Sequence, residues 1–123
     1  MKMALPSKKD VQYVKRKLKI WYEANKNHKS HPSEEMKEFR RALSRLCRFF
    51  GVSLPKVAFY EKLPNALGRC THDGQLQLLT PFHHYGDFRV YAKTFFHEFG
   101  HYIYYANAEK KANEFEKRMF DRW

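Results

Sequence analysis

Apolar positions in the first part of the chain recur at helical spacing in two segments. Residues 8–26 carry an apolar stripe at intervals of three or four, formed by Val11, Val14, Leu18 and Trp21. Residues 34–50 carry a second stripe, formed by Met36, Phe39, Leu43, Leu46, Cys47 and Phe50. Such spacing places the apolar side chains on one face of a helix. The sequence therefore predicts two amphipathic N-terminal helices, the second capped by Ser33 and ended by Gly51.

The middle of the chain changes from helical spacing to alternation. Three short stretches have strand character, namely the segment after Pro55, Leu67 to Thr71 and Gln75 to Thr80. The dipeptide Asp73-Gly74 between the last two is a hairpin signal. The pattern predicts a small, mostly antiparallel sheet of three strands.

The stretch from Phe95 to Tyr105 is uncharged and almost entirely apolar outside the pattern His-Glu-x-x-His, which it contains at residues 97–101. Positions i and i+4 of a helix share a face, so His97 and His101 can point two imidazoles at one metal ion. A helix that is apolar on almost every side is buried, and buried ionisable groups need partners. The pattern is typical of zinc peptidases, in which the glutamate, here Glu98, is the general base.

A catalytic two-histidine site needs a third protein ligand. A second helix predicted to start near Ala108 offers two candidates. Glu114 lies closer to the level of the histidines if the two helices pair around a turn at Asn107. Glu109 reaches the metal only if the first helix ends early and the chain folds back sharply. The spacing alone leaves both open.

The residues that follow the motif carry a resemblance to a known family. The sequence from Glu109 to Phe115 resembles the "glutamate helix" of gluzincins, Glu-x-x-Ala-(Asn/Asp)-x-Phe-Ala, with Ala112 and Asn113 at matching positions. In a chain of this length, the two motifs together resemble the minigluzincins. These are minimal relatives of the catalytic domains of CAAX-type and heat-shock-type membrane metallopeptidases. Glu116 stands where the family usually has a small alanine.

The resemblance implies a fold, a ligand set and an activity. The fold is a single α+β, zincin-like domain over residues 1–123, with two N-terminal helices, the small sheet, a zinc-binding helix and a C-terminal glutamate helix. The implied ligands of Zn²⁺ are His97, His101 and Glu109. The implied activity is that of a zinc metalloendopeptidase, which hydrolyses peptide bonds through a metal-activated water with Glu98 as the general base.

The resemblance also suggests where a substrate and an inhibitory segment would lie. In gluzincins an edge strand upstream of the zinc helix binds the substrate main chain, and Leu67 to Leu79 occupies that place. The C-terminal segment Lys117–Trp123 is aromatic and basic, and we hypothesise that it covers the cleft and keeps the enzyme latent.

Stabilisation of a tetrahedral intermediate requires a hydrogen-bond donor near the metal. The loop from Pro81 to Arg89 leads into the predicted zinc helix and is rich in donors. The candidates, including one in the hairpin turn, are His72, His83, His84 and Tyr85. Their spacing does not distinguish among them.

The net charge of +11 arises from 24 Lys and Arg residues against 13 Asp and Glu residues. Such a charge attracts nucleic acid, acidic lipid or acidic substrates. The first predicted helix is the most basic part, with Lys15, Arg16, Lys17 and Lys19 on its polar face. A solvated helix face is the favoured interpretation. The alternative function is a non-catalytic basic module on the same scaffold that binds nucleic acid or protein, and a third is an inactive peptidase fold that acts as a regulator.

Segments that would direct the protein to a membrane are not evident in the sequence. No apolar run is long enough to span a bilayer, and Met1 to Pro6 lacks the apolar core of a signal peptide. We therefore expect a cytoplasmic protein. Cys47 and Cys70 do not have metal-ligand spacing and are expected to be free thiols, with Cys47 in the core.

Overall fold

The computed structural model describes residues 3–29, 32–105 and 107–123; Met1 and Lys2 of the N-terminal stretch lie outside them. The described residues form an α+β domain of four helices and one mixed sheet of three strands. In chain order the elements are α1 (Lys8–Asn25), α2 (Met36–Phe50), β1 (Val57–Tyr60), β2 (Gly68–Cys70), β3 (Leu76–Leu79), α3 (Phe88–Tyr104) and α4 (Glu109–Asp121).

The pair α1 and α2 confirms both predicted apolar stripes. The α1 stripe has no exposed surface: Val11, Val14, Leu18 and Trp21. The α2 stripe is buried at Phe39, Leu43, Leu46 and Cys47, while Met36 and Phe50 pack against the core from its margin. Apolar burial on this scale is the main stabilising contribution to such a domain.

The predicted N-cap of α2 at Ser33 is wrong, and the helix starts two residues after the expected Glu34. The helix begins at Met36 after Glu35, which has a positive φ of 53° and no side-chain capping bond. The cause is the buried Asn25 at the end of α1. Its amide donates to the Glu34 carbonyl oxygen at 2.8 Å, and its side-chain oxygen accepts from the Glu34 backbone N–H at 3.2 Å. This pair of bonds holds the segment as a turn and delays the helix.

The three predicted strands form, but their arrangement differs from the expectation of a mostly antiparallel sheet. The order is β1-β3-β2, with β2 antiparallel to β3 and β1 parallel to it. The hairpin predicted at Asp73 and Gly74 joins β2 and β3, with Gly74 at a φ of +87°. Residues 61–67 carry the chain from β1 past the place of β3, so β2 lies at the far edge of the sheet.

Helix α3 is the central element of the core. One face of the sheet packs on it, and its own aromatic side chains Phe95, Phe96 and Phe99 have no exposed surface. Asp87 caps its first turn, because the side chain accepts from the Val90 N–H at 3.1 Å. The described helices include none that is both long and apolar enough to cross a membrane.

Helices α3 and α4 lie against each other along their length. Gly100 permits this approach, because a Cβ there would lie 3.1 Å from the Ala112 Cα and 3.3 Å from the Phe115 ring. Helix α3 ends at Tyr104, and Tyr105, at a φ of +84°, turns the chain back.

The end of the C-terminal segment packs against α1 and α3. The Trp123 ring lies 5.6 Å from the Phe88 ring and 4.8 Å from the Phe120 ring, and its backbone oxygen accepts from Lys15 of α1. Lys117, Phe120 and Asp121 line a groove between α3 and α4 together with Lys93 and Glu116. The hypothesis that Lys117–Trp123 covers the cleft therefore stays a prediction.

Candidate metal centre

Three of the predicted ligands converge at one point. The Glu109 carboxylate places one oxygen 2.8 Å from His97 Nε2 and the other 2.9 Å from His101 Nε2. One ligand atom from each residue lies within 4.8 Å of the others, and among the described residues this is the only such cluster. The histidines come from consecutive turns of α3, as the i, i+4 spacing predicts, and Glu109 is the first residue of α4.

The alternative ligand Glu114 lies elsewhere. Its carboxylate pairs with Arg118 at 3.2 Å, and it lines a separate groove with Met3 and Tyr104. The reason is the early end of α3 and the sharp reversal at Tyr105, which bring the first turn of α4 to the histidines. A sharp reversal after α3 is the condition under which the sequence analysis allows Glu109 to be the third ligand.

Each histidine has a second contact that orients its ring. His97 Nδ1 lies 3.2 Å from a Glu116 oxygen, and His101 Nδ1 lies 3.2 Å from the Tyr105 carbonyl oxygen. Sequence reasoning missed both contacts. Glu116 follows Glu109 by seven residues, so the two share a face of α4, and this spacing was the available signal. The contact between His101 and Tyr105 depends on where α3 ends, and no sequence signal indicates it.

The hydrogen-bond roles at the cluster favour a bound cation. A carboxylate and a carbonyl oxygen only accept, so each histidine donates from Nδ1 to its orienting partner. Both Nε2 atoms then face the Glu109 carboxylate. Two lone pairs then point at a negative group, an arrangement that a metal ion between the three residues would stabilise. In the metal-free protein, the hydrogen bond to Glu116 raises the pKa of His97.

The donor set fits zinc. Two imidazoles and one carboxylate are the ligands of a common class of catalytic zinc site, in which the fourth position is left to water or substrate. Ligand atoms around a tetrahedral zinc lie ~3.4 Å apart, and one ligand atom from each of these three residues lies within 4.8 Å of the others. The Glu109 side chain is 65% exposed, which leaves one side of the cluster open to solvent.

Glu98 lies next to the cluster with 7% of its surface exposed. Burial raises its pKa, an effect that the nearby His97 and His101 oppose. The edge strand β2 passes directly over it. A Cβ at position 68 would lie 2.9 Å from Glu98 Cγ and 2.8 Å from Thr94 Cγ2, so only glycine allows this approach. The strand and the glutamate therefore form the two sides of one narrow site.

Strand β2 is the edge strand of the described sheet on the side of the cluster. Leu67 and Thr71 bond inward to β3, so by alternation the backbone polar groups of Gly68 and Cys70 point outward. Three adjoining grooves of about 450, 440 and 410 Å³ follow this edge. Ala66 and Gly68 line the first two, and Cys70 and His101 line the second and third. The cluster lies within this trough rather than at its end.

The four predicted oxyanion donors separate into two groups. His84 is buried and bonds to Thr94 Oγ1 at 2.8 Å, and His83 Nδ1 lies 2.7 Å from Thr80 Oγ1. Tyr85 is 66% exposed and lines the first groove with Glu98, whereas His72 lines the third. Tyr85 is thus the candidate that shares a groove with Glu98.

Scans against protein-family models, curated proteins and solved structures found no match. The resemblance to minigluzincins therefore stays a prediction made from the motifs.

Proposed function

We propose that this protein is a zinc-dependent metalloendopeptidase of the gluzincin type. The observation that carries the proposal is the convergence of His97, His101 and Glu109 beside a buried Glu98, under the edge strand β2. Peptide hydrolysis uses each of these parts: three ligands for a metal, a general base and a strand edge that binds the substrate main chain.

The protein groups divide the chemistry as follows. A zinc ion held by His97, His101 and Glu109 would supply Lewis-acid polarisation of an oxygen ligand. Glu98 takes the proton from the attacking water and delivers it to the leaving amine. In the metal-free protein, burial raises the pKa of Glu98 towards the operating pH, which is where a general base works best.

The edge strand β2 suggests how a substrate binds. An extended peptide would pair with the outward backbone groups of Gly68 and Cys70, which fixes its main chain with little sequence preference. The trough continues on both sides of the cluster. Cleavage within a chain is therefore favoured over removal of terminal residues.

The alternative is a non-catalytic basic module with a structural zinc or none. A structural zinc is closed by four protein ligands, whereas the described cluster has three, with Glu109 largely exposed. Nucleic-acid binding by the basic helices would weaken steeply with salt, so a gel shift over a salt series tests this alternative directly.

The first prediction concerns ligand identity, measured as zinc content and affinity. The wild type should bind about one zinc, and His101→Ala and Glu109→Ala should lose it, because each removes one of three protein ligands. Glu114→Ala is the matched control from the same helix and should bind normally. Glu98→Gln should retain zinc and lose peptide hydrolysis, since it removes the base but no ligand.

Loss of zinc in Glu114→Ala together with retention in Glu109→Ala would contradict the ligand set. A wild type that binds no zinc when it is offered would contradict the proposed function. Full hydrolysis by Glu98→Gln would contradict the role of Glu98 as the general base but would not bear on the metal ligands.

A further inference from the structure

His97 contacts two carboxylates that come from the same helix. Glu109, at the start of α4, meets its Nε2 at 2.8 Å, and Glu116, two turns later, meets its Nδ1 at 3.2 Å. Both nitrogens of one imidazole are therefore held by α4. In the resemblance to gluzincins, position 116 has no such role, because a small alanine is usual there.

Glu116 is fixed in place, unlike a surface glutamate. Its side chain is 14% exposed, and its second oxygen lies 3.7 Å from Lys93 Nζ. Lys93 precedes His97 by one turn of α3, so the two share a face and Glu116 bridges them. Rotation of the His97 ring away from the cluster would break its bond to Glu116.

The two histidines differ in what accepts their Nδ1 proton. His101 donates to a neutral carbonyl, that of Tyr105, whereas His97 donates to a carboxylate. A carboxylate partner makes the opposite nitrogen a stronger donor to a metal and fixes the tautomer and the ring plane. We propose that Glu116 is a positioning residue that orients His97 and strengthens its bond to the metal. The inference rests on the proposed zinc site.

The role is separable from the packing of α4. The helix is anchored to the core by the fully buried Ala112, Phe115 and Met119. Glu116 lies beside this apolar stripe, so its replacement leaves the buried contacts of α4 intact. A change in zinc binding without a change in the stability of the metal-free protein would then report the contact with His97.

The test compares zinc affinity, measured by competition with a chromogenic chelator, in the wild type and three variants. Glu116→Ala should bind zinc about 10- to 100-fold more weakly, the range typical for loss of an outer partner of a metal ligand. Glu116→Gln keeps the size and an accepting oxygen but loses the charge, so we expect an intermediate loss. Glu114→Gln, on the exposed face of α4, is the control and should bind like the wild type.

A second readout follows the ring itself. The ¹⁵N signals of His97 in the zinc-bound protein should show a stable Nδ1–H in the wild type and in Glu116→Gln. In Glu116→Ala the Nδ1–H should exchange rapidly with water. Melting temperatures of the metal-free variants establish that each one folds.

The outcomes separate this inference from the proposed function. Equal zinc affinity in Glu116→Ala and the wild type overturns the inference and leaves the zinc site standing. A loss in Glu114→Gln as large as that in Glu116→Gln overturns it as well, since the effect would not depend on the contact with His97. A wild type that binds no zinc overturns both proposals at the first step.

Discussion

Cys47 is a titratable group inside the core at the inner face of α2. It is 3% exposed, and burial raises the pKa of its thiol from 9.0 to about 11. Between these values the folded protein keeps a proton that the unfolded chain releases. Stability must then fall as pH rises from about 9 to about 11, with the full contribution present below that range.

We predict that this loss is specific to Cys47. The free energy of unfolding of the wild type, measured by urea titration, should fall more steeply than that of Cys47→Ala across this window, by about 1.4 kcal/mol per pH unit. Other groups titrate in the same range, but they are common to both proteins and cancel in the difference. Parallel profiles for the two proteins would show that the thiol titrates normally.

For single residues, the sequence predicts a contact when both partners lie within one helix. The positions of His97 and His101 follow from helical spacing alone. The choice of Glu109 over Glu114 depended on where α3 ends, a matter of one or two residues that periodicity does not resolve. In the sequence, Glu116 is only a departure from a motif, because its partner His97 belongs to another helix.

The contact between α3 and α4 determines whether the site assembles, since the two helices divide its ligands. Gly100 sets their spacing, with the Ala112 backbone 3.1 Å from the place of a Cβ. An alanine would favour the helix by about 1 kcal/mol but would push α4 outward, at a cost of about 1–3 kcal/mol for overpacking. The neighbour is backbone and cannot rotate away, so the second effect should dominate.

We therefore predict that Gly100→Ala lowers both stability and zinc affinity. Urea unfolding of the metal-free protein should show a net loss of about 1 kcal/mol. Chelator competition should show weaker zinc binding, because Glu109 moves with α4. A variant that is more stable than the wild type and binds zinc equally well would mean that the helices are less closely packed than described.

Elements were easier to predict than their arrangement. The helices and strands follow from local periodicity and turn residues, and all seven form within a few residues of the expected bounds. The order β1-β3-β2 depends on which strand the chain inserts between the other two, and no local signal encodes that choice. The start of α2 is not predictable for a similar reason. It depends on the hydrogen bonds between the Asn25 side chain and the Glu34 backbone, which lie nine residues apart.

The net charge of the whole molecule is distributed unevenly. Helix α1 carries six Lys or Arg residues and two acidic ones, and α2 carries five and one. Eight of the eleven net positive charges therefore lie on two helices that contribute no described residue to the three grooves along β2. Their electric field acts on a substrate at long range rather than by contact. Such a field changes the rate at which enzyme and substrate meet, and salt screens it.

If the protein is a peptidase, this field should favour acidic substrates. We predict that an acidic peptide is cleaved with a kcat/KM about tenfold above that of its basic counterpart at low salt, and that the difference shrinks as ionic strength approaches 0.5 M. The paired variant Lys19→Gln and Arg40→Gln removes two exposed charges far in sequence from the site. It should lower kcat/KM for the acidic peptide and leave kcat unchanged, because steering affects the encounter and not the bound complex. A preference that persists at high salt would instead indicate direct contact in the groove, with Lys93, which lines the first groove and pairs with Glu116, as the candidate contact.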